Sequence, residues 1–446
     1  MQKRTLFLFI AVSAFHALAY STGNDNSSDH PGTASRPPSA RDLLEATAPG
    51  YITPAGMKSE CLGRLVFDIK ADVEWPTWYD DDFGFAFNKS FTRNVFNRGD
   101  QIKVGNVNIA VIDPVDQRIT DSLNAALPKN LLLENSSRLE KDETAFIESR
   151  KNKSQDKKTL YAQSKLEDSI QSIKERIKEI QEKYEPFSPG LADSEGFGYS
   201  KVEAGSEKYS VLHANLKRGS KLYAFESTEL LEKNTSKETH RQNFKEFLAN
   251  FKVRNKNDIP REVGICIPFG FIPDDGKTRL DIKQSLRWND APGVLYSIHT
   301  GDAQPGRLKL PAVEAAASAA VGTLGSAEEQ RVKPFVTQRI GPRASKIGGL
   351  TAQQGGVALT VTGKDKKPYE AYSVFTGYSG WLGSAVLPYI LIEMSTRSME
   401  QAPELKQNPP AFKQSMDRLE TLLKSTRLRP TTPAMPELSS LQKENK

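Results

Sequence analysis

The sequence predicts an α+β protein of two domains, each an antiparallel or mixed sheet packed with helices, with a cleft between the domains. Short apolar runs that end at Gly, Pro, Asn or Asp predict strands. A few longer segments carry apolar residues at helical spacing. Strands and helices follow in an irregular order, without the alternation that a doubly wound sheet requires. The length of 446 residues is ample for two domains.

The N-terminus has the pattern of a secretory signal peptide. Lys3 and Arg4 precede the apolar run Leu6–Phe15, and the small-residue pattern Ala17-Leu18-Ala19 follows. We expect cleavage after Ala19 and a periplasmic protein. The alternative is an uncleaved anchor, but about ten apolar residues are too few for the ~30 Å hydrocarbon core. No later apolar stretch is long enough to span that core, so stable membrane insertion is not expected.

Composition argues against nucleic acid as a partner. The formal net charge of +6 arises from 61 basic and 55 acidic residues, and a nucleic-acid surface needs clustered basic residues. At the ends of the chain, residues 20–50 are rich in Ser, Asn, Pro, Gly and Thr and predict a disordered leader. The polar residues 431–446 predict a disordered tail.

The first domain is predicted at residues 51–253. Strands are expected at Cys61–Ile69, within Gln101–Ile112 and on both sides of a turn in Val211–Phe225, and a helix at Glu238–Val253. The clearest helix is Leu160–Tyr184, where apolar residues recur at steps of four and three along one narrow seam. Such a seam suits a coiled coil or the surface of a sheet. We favour the sheet, because a coiled coil needs about three or four heptads.

The second domain is predicted at residues 261–430, after a polar linker at 254–260. Val263–Ile272, Leu280–Leu286 and Val294–Ile298 are expected to form a three-stranded antiparallel sheet, since turn signals separate the three runs. Further strands are expected at Tyr369–Phe375 and Ala385–Met394. The last helix should bury one apolar face, formed by Phe412, Met416, Leu419 and Leu423.

No catalytic set can be assembled from the sequence, so we predict that the protein is not an enzyme. Ser379 lies in a Gly-Tyr-Ser-Gly-Trp stretch, but Trp381 occupies the place where a hydrolase elbow needs glycine. His213, His240 and His299 are neither at metal-ligand spacing nor paired with a nucleophile. We therefore expect no cofactor and no metal.

The two cysteines admit two interpretations. Cys61 and Cys266 are the only cysteines of the chain, and in an exported protein they are expected to form a disulfide. Two buried thiols are the alternative, because sequence separation says nothing about the spacing of the Cα atoms.

Three stretches together resemble one bacterial family. They are Glu60–Ile69 (ECLGRLVFDI), Ile259–Ile272 (IPREVGICIPFGFI), and the segment Glu370–Met394 with Leu428-Arg429-Pro430 further on. These stretches are similar to two-domain immunity proteins that neutralise phospholipase effectors of the type VI secretion system. The resemblance implies a periplasmic inhibitor whose two α+β domains form a cleft and grip the lid region of the lipase.

Aromatic residues beside charged ones in this sequence are typical of a surface that binds a protein partner. We expect Trp78 and Tyr79, beside the acidic run Asp80, Asp81 and Asp82, to contact the partner, together with Tyr378 and Trp381. The acidic run is not expected to bind a metal, because consecutive carboxylates cannot all face one ion. Trp381 also fits a place in the core. A periplasmic lipid- or solute-binding protein and an exported hydrolase are the alternative functions.

Overall fold

The structure is a computed structural model that describes residues 46–429, except 77–100, 121–126, 152–155, 203–207, 232–234, 303–334, 363–366, 381–386, 400–404 and a few isolated positions (49, 71, 116, 118–119, 275, 277 and 398). It confirms the α+β class. The predicted signal peptide, the tail and nearly all of the leader lie outside the described residues. Ala46, near the end of the predicted leader, is buried in the main core.

Four long helices are described: α1 Pro128–Lys151, α2 Lys157–Lys183, α3 Lys237–Asn250 and α4 Phe412–Ser425. The strands of the first half are β1 Lys58–Leu62, β2 Leu65–Ile69, β3 Val73–Glu74, β4 Gln101–Val104, β5 Val107–Ile112, β6 Tyr184–Phe187, β7 Ser194–Val202, β8 Lys208–Arg218 and β9 Lys221–Leu230. The remaining strands are β10 Lys252–Val253, β11 Gly264–Ile267, β12 Gly270–Pro273, β13 Leu280–Trp288, β14 Ala291–Gly301, β15 Phe335–Ile347, β16 Leu350–Thr362, β17 Pro368–Tyr378, β18 Tyr389–Thr396 and β19 Arg427–Leu428. No described helix is long and apolar enough to cross a membrane.

One sheet of thirteen strands runs through both predicted domains. Its order is β15-β16-β17-β18-β14-β13-β4-β5-β9-β8-β7-β6, with β3 also paired to β13. The two halves meet where β4 pairs with β13, in the antiparallel register Leu280 to Val104. Two small sheets, β1-β2-β19 and β10-β12-β11, complete the fold. The division at residues 254–260 and the cleft stay predictions, and backbone hydrogen bonds cross from one half to the other.

The prediction that residues 263–298 form one three-stranded sheet is wrong. The first run folds into its own hairpin, in which β11 pairs with β12 in a separate small sheet, while β13 and β14 pair within the large sheet. Phe269 makes the tight turn with a positive φ of 57°. The unbroken apolar run conceals this turn, because both strands of the hairpin are buried. Cys61–Ile69 is likewise a hairpin and not one strand, with Gly63 at φ 59° in its turn.

The main core lies between one face of the large sheet and the elements that cover it. α4 buries the apolar face that the sequence predicts, including Phe412, Met416 and Leu419, and α3 buries Phe244 and Leu248. The β1-β2 hairpin contributes its apolar residues to the same cluster. The opposite face of the large sheet is therefore the one on which polar side chains can gather.

Helix α2 does not pack on the sheet as predicted. It packs chiefly against α1 in an antiparallel helical hairpin, and its main contact with the sheet is at its end, next to β6. We call α1 and α2 together the arm. Only Ile173 and Ile180 of α2 are buried. The sheet prediction was wrong because α1 supplies the apolar seam with a partner, and the heptads of α1 are too interrupted by charged residues to be recognised.

Candidate partner-binding surface

Most of the predicted anchor residues lie outside the described residues. Trp78, Tyr79 and Asp80–Asp82 belong to residues 77–100, and Trp381 belongs to residues 381–386. The strands on either side of these segments are described. β3 and β4 flank residues 77–100 and both pair with β13, whereas β17 and β18 flank residues 381–386. The attachment points thus lie in one sheet, where β14 and β13 separate β18 from β4.

Tyr378 is the one predicted anchor that the structure describes. It ends β17, opposite Ile390 of β18, and it is partly buried against the main core. β17 is three strands from β13, which places Tyr378 about 14 Å across the sheet from it, at a strand spacing of ~4.8 Å. Whether Tyr378 contacts a partner stays a prediction.

A row of polar residues that no pattern in the sequence indicates lies on the face of the large sheet opposite the main core. The strand register places them opposite one another, from β8 to β18. We call this set the polar row: His213, Glu226, Asn108, Lys103, Asp281 and Tyr389. It spans seven strands, or about 29 Å, and crosses the seam between the halves. Lys103 is exposed, and Asn108, Glu226 and Asp281 are half-buried.

His299 joins the polar row at β14. Its Nε2 lies 2.6 Å from Oδ1 of Asp281, and the Tyr389 hydroxyl donates to that same oxygen at 2.9 Å and also contacts the imidazole. Gly301 makes this contact possible, because a Cβ there would stand 2.9 Å from Cε1 of Tyr389. Only strand pairing unites these residues, which are far apart in the chain, so no local motif could have revealed them.

His213 stands at the other end of the polar row, in an aromatic cluster. Its ring stacks on Phe197 and Tyr199, with centroids 4.6 and 5.7 Å away. Burial lowers the pKa of His213 to about 4 and raises the pKa of Glu226. Although Nε2 of His213 lies 3.4 Å from Oε2 of Glu226, a neutral imidazole faces the carboxyl group near neutral pH, because desolvation outweighs their attraction.

The three histidines of the described residues do not form a hydrolase site. Ser227 Oγ lies 2.9 Å from Nε2 of His240, but both residues are buried, and no carboxylate contacts Nδ1 of that ring among the described residues. His299 has a carboxylate partner, yet its described hydrogen bonds include no serine hydroxyl. A nucleophile, its base and an orienting carboxylate therefore do not converge in this part of the chain.

The stretches Glu60–Ile69 and Ile259–Ile272, together with Arg429, meet at one buried place, which we call the junction. The structure joins Cys61 and Cys266 by a disulfide, with Cα atoms 5.7 Å apart. Around it lie three buried arginines, Arg64, Arg254 and Arg429. Arg254 pairs with the fully buried Glu60 at 2.6 Å. Arg64 pairs with Asp274 at 2.9 Å.

Arg429 is held differently, by main-chain carbonyl groups. Its guanidinium donates to the oxygens of Gly264 and Glu262 at 2.9 and 2.6 Å and lies 3.2 Å from the sulfur of Cys266. Burial lowers the pKa of Arg429 to about 10, with Arg254 and Arg64 acting in the same direction. The side chain remains charged at neutral pH. The junction therefore fastens the β1-β2 hairpin, the β11-β12 hairpin and the end of α4 together.

The comparisons with known proteins agree with the resemblance. Residues 258–431 match the family model described as the Tle cognate immunity protein 4 C-terminal domain. This range runs from just before β11 to just beyond β19 and includes Cys266, Asp274 and Arg429 of the junction. The resemblance to immunity proteins of the type VI secretion system is thereby confirmed. No curated protein sequence matches the chain.

Several solved structures have a similar course of the chain. The apo structure of immunity protein TplEi of T6SS from Pseudomonas aeruginosa is 14% identical, covers 85% of this chain and 99% of its own, and gives a TM-score of 0.44. The Tle4-Tli4 complex is 15% identical, covers 85% of this chain and 100% of its own, and gives a TM-score of 0.47. TplEi from Pseudomonas aeruginosa complexed with "L" peptide is 13% identical, covers 84% of this chain and 99% of its own, and gives a TM-score of 0.43.

Proposed function

We propose that this protein is an immunity protein that binds a phospholipase effector of the type VI secretion system in the periplasm and blocks its activity. The observation that carries this proposal is the match of residues 258–431 to the Tle cognate immunity protein 4 family. The matched range supplies nine strands and α4, together with Cys266, Asp274 and Arg429 of the junction. A chain that shares this scaffold is expected to share its use.

Inhibition would work by steric exclusion. The lipase would be gripped at its lid region between the two halves of the chain, so that phospholipid cannot enter its active site. The single sheet suits this role, because it fixes the relative position of the two halves before binding and reduces the entropy that binding must overcome. The polar row, about 29 Å long, matches the breadth of a protein interface of ordinary size.

We infer the residues that contact the lipase from the two segments that connect strands of the large sheet. Residues 77–100 leave the sheet between β3 and β4, and residues 381–386 between β17 and β18. We propose that they present Trp78, Tyr79 and Trp381 as anchors. Tyr378, which packs on the core side of the sheet, would contribute its exposed part at the start of the second segment. Truncation of an aromatic anchor commonly weakens binding by about 2 kcal/mol or more. The acidic run Asp80–Asp82 would raise the association rate and make it depend on salt.

The protein would have no hydrolytic activity of its own, since its role requires only binding. The Cys61–Cys266 disulfide favours an oxidising compartment such as the periplasm, in agreement with the signal-peptide pattern. The alternative of a lipid- or solute-binding protein has less support. The grooves on the arm are open and lined mainly by polar side chains, unlike the enclosed apolar cavities of such proteins.

The test is a titration of the lipase with the purified chain. We expect phospholipid hydrolysis to fall linearly to near zero at one chain per lipase, without any hydrolysis by the chain alone. Full turnover at a several-fold molar excess would remove the inhibitor function. Trp78→Ala and Trp381→Ala test the anchors, and unchanged affinity in both would remove these residues from the interface while leaving the function intact.

A charge reversal tests the polar row separately. Lys103→Glu changes its one exposed lysine, and we expect a clearly weaker complex. Lys245→Glu is the matched control, because Lys245 is also exposed but lies on α3, on the opposite face of the sheet. Equal affinity of both variants for the lipase would place the interface away from the polar row.

A further inference from the structure

We propose that the tip of the arm is a docking site for the surface of an anionic phospholipid bilayer. The tip consists of residues 147–151 at the end of α1 and residues 156–165 at the start of α2. This site is separate from the surface proposed for the lipase, and it lies outside residues 258–431, which match the immunity-protein family.

The tip is the part of the arm that is farthest from the sheet. Arg150 pairs with Glu167, and Glu143 pairs with Lys174, so the two helices run antiparallel. α2 ends at Lys183 and leads directly into β6 of the sheet. Its 27 residues correspond to a length of about 40 Å at 1.5 Å per residue. A partner on the sheet would therefore leave the tip accessible.

Three apolar side chains of the tip project into solvent. Ile147, Leu160 and Tyr161 are 56%, 52% and 66% exposed. Ile147 borders the groove between α1 and α2, beside Phe146 and Ile170, yet more than half of its surface stays exposed. Apolar side chains that are grouped on a surface and rimmed by polar residues mark sites that bind a protein or a membrane.

The charge of the tip selects a membrane rather than a protein as that surface. The tip contains five basic residues, Arg150, Lys151, Lys157, Lys158 and Lys165, and two acidic ones. The remainder of the arm carries seven basic and nine acidic residues, so positive charge is concentrated at one end. Lysine is depleted in the centres of protein interfaces. Lysine around apolar and aromatic residues is instead the pattern of helices that bind anionic membrane surfaces.

The geometry of individual side chains supports this assignment. The Lys165 ammonium lies 5.7 Å from the centre of the Tyr161 ring, so a positive charge and an amphipathic aromatic share one spot. Tyrosine favours the headgroup level of a bilayer. Of the two acidic residues, Asp156 is engaged as the N-cap of α2, where it accepts from the main-chain N–H groups of Lys158 and Thr159 at 2.9 Å. Its charge is thus partly balanced within the helix.

Bilayer docking would place the immunity protein where its target works. If the proposed function holds, a lipase that approaches its phospholipid substrate would meet an inhibitor that is already held at that surface. Docking itself does not depend on the lipase, and it can be measured without it. Failure of one proposal is therefore distinguishable from failure of the other.

The test is sedimentation of the chain, purified from the periplasm, with vesicles. We expect it to sediment with vesicles of phosphatidylglycerol and phosphatidylethanolamine, not with vesicles of phosphatidylcholine, and to be released by high salt. The double variant Lys157→Gln and Lys158→Gln should reduce the partition coefficient by roughly 25-fold, at about fivefold per lysine. The matched control is the double variant Lys141→Gln and Lys178→Gln, which removes the same charge from the part of the arm outside the tip. It should bind the vesicles as strongly as the unmodified chain.

The apolar residues are tested in the same assay. Leu160→Ser with Tyr161→Ser should weaken binding, whereas Leu133→Ser should not, because Leu133 is 68% exposed at the opposite end of the arm. Circular dichroism confirms that each variant folds. The proposal is overturned if the chain does not bind anionic vesicles, if it binds neutral vesicles equally, or if the tip variants bind as before. It is also overturned if the tip variants lose affinity for the lipase instead of for vesicles.

Discussion

The junction and the arm differ in what they bury. The junction encloses three arginines, two of them ion-paired with carboxylates, around a disulfide. The arm leaves apolar side chains such as Ile147 and Tyr161 in solvent, and its ion pairs are exposed. An unpaired charge is costly only in the interior, so the junction should be sensitive to single substitutions and the arm tolerant. The difference separates a region of buried charges, part of which lies in the range that matches the family model, from a region whose charges are solvated.

Removal of the disulfide should have the largest effect on stability. Cys61 and Cys266 are 205 residues apart in the sequence, and the chain-entropy model assigns a loop of this size about 5 kcal/mol. We expect the double variant Cys61→Ala and Cys266→Ala to lose a comparable part of its free energy of unfolding, as measured by urea denaturation. Thiol titration of the denatured, unreduced protein provides the control. Two free thiols per chain would contradict the bond.

Removal of the Glu60 side chain should have the second largest effect on stability. Its carboxylate pairs with Arg254 and accepts from the main-chain N–H groups of Cys61 and Asn257 at 2.8 and 2.9 Å. Glu60→Ala leaves the charge of Arg254 buried and uncompensated, and this costs about 3–5 kcal/mol. Glu262→Ala is the control, because Glu262 pairs with Lys252 in solvent. Similar urea midpoints for the two variants would show that the junction does not depend on its buried charges.

The place where the arm joins the sheet should respond to acid. Tyr184 is the first residue of β6, directly after α2. Its ring centre lies 5.8 Å from those of Phe197 and Tyr199, on which His213 stacks. The pKa of His213 falls from 6.5 to about 4 on folding. The unfolded chain therefore binds more protons between these values, and the stability present above pH 6.5 is lost as the pH falls towards 4. Linkage gives a loss of about 3 kcal/mol.

This acid effect is measured by urea denaturation at several pH values. Compared with the original chain, His213→Gln should lose less stability between pH 6.5 and pH 4. Glu226 opposes the effect, since its pKa is raised by burial, so Glu226→Gln should make the loss steeper. Parallel pH profiles for the original chain and His213→Gln would contradict the buried neutral imidazole.

The smallest effect is expected within the arm. Glu143→Ala breaks its 2.8 Å pair with Lys174, whose side chain is 51% exposed. Exposed pairs contribute about 0.2–1 kcal/mol, so the thermal midpoint should change little, and less still in high salt. A loss as large as that of Glu60→Ala would remove the contrast between the junction and the arm.

Local patterns in the sequence predicted the helices and strands that bury one face and expose the other. α3 and α4 appear where apolar residues recur at helical spacing, and the β8-β9 hairpin appears around its glycine turn. α1 was missed because Leu131, Leu139 and Phe146 are interrupted by many polar and charged residues. The β11-β12 hairpin was missed because both of its strands are buried, and nothing but the turn at Phe269 separates them.

The features that depend on distant pairing could not be predicted. The seam between β4 and β13 joins residues about 180 positions apart, and no local pattern encodes that partnership. The polar row follows from the same register, as does the contact of Asp281 with Tyr389. For the junction, the sequence indicated only that the stretches around Cys61 and Cys266 resemble the immunity-protein family. It did not indicate that Arg64, Arg254 and Arg429 would be buried in one place.

Hydrogen exchange of the chain, free and bound to the lipase, tests most directly whether the partner binds across the sheet and not on the arm. We predict slower exchange in peptides that cover residues 77–100 and 379–388 and around Lys103 on the polar row. Exchange in α1 and α2 should be unchanged by the lipase. Protection confined to the arm, with the sheet segments unaffected, would contradict the account.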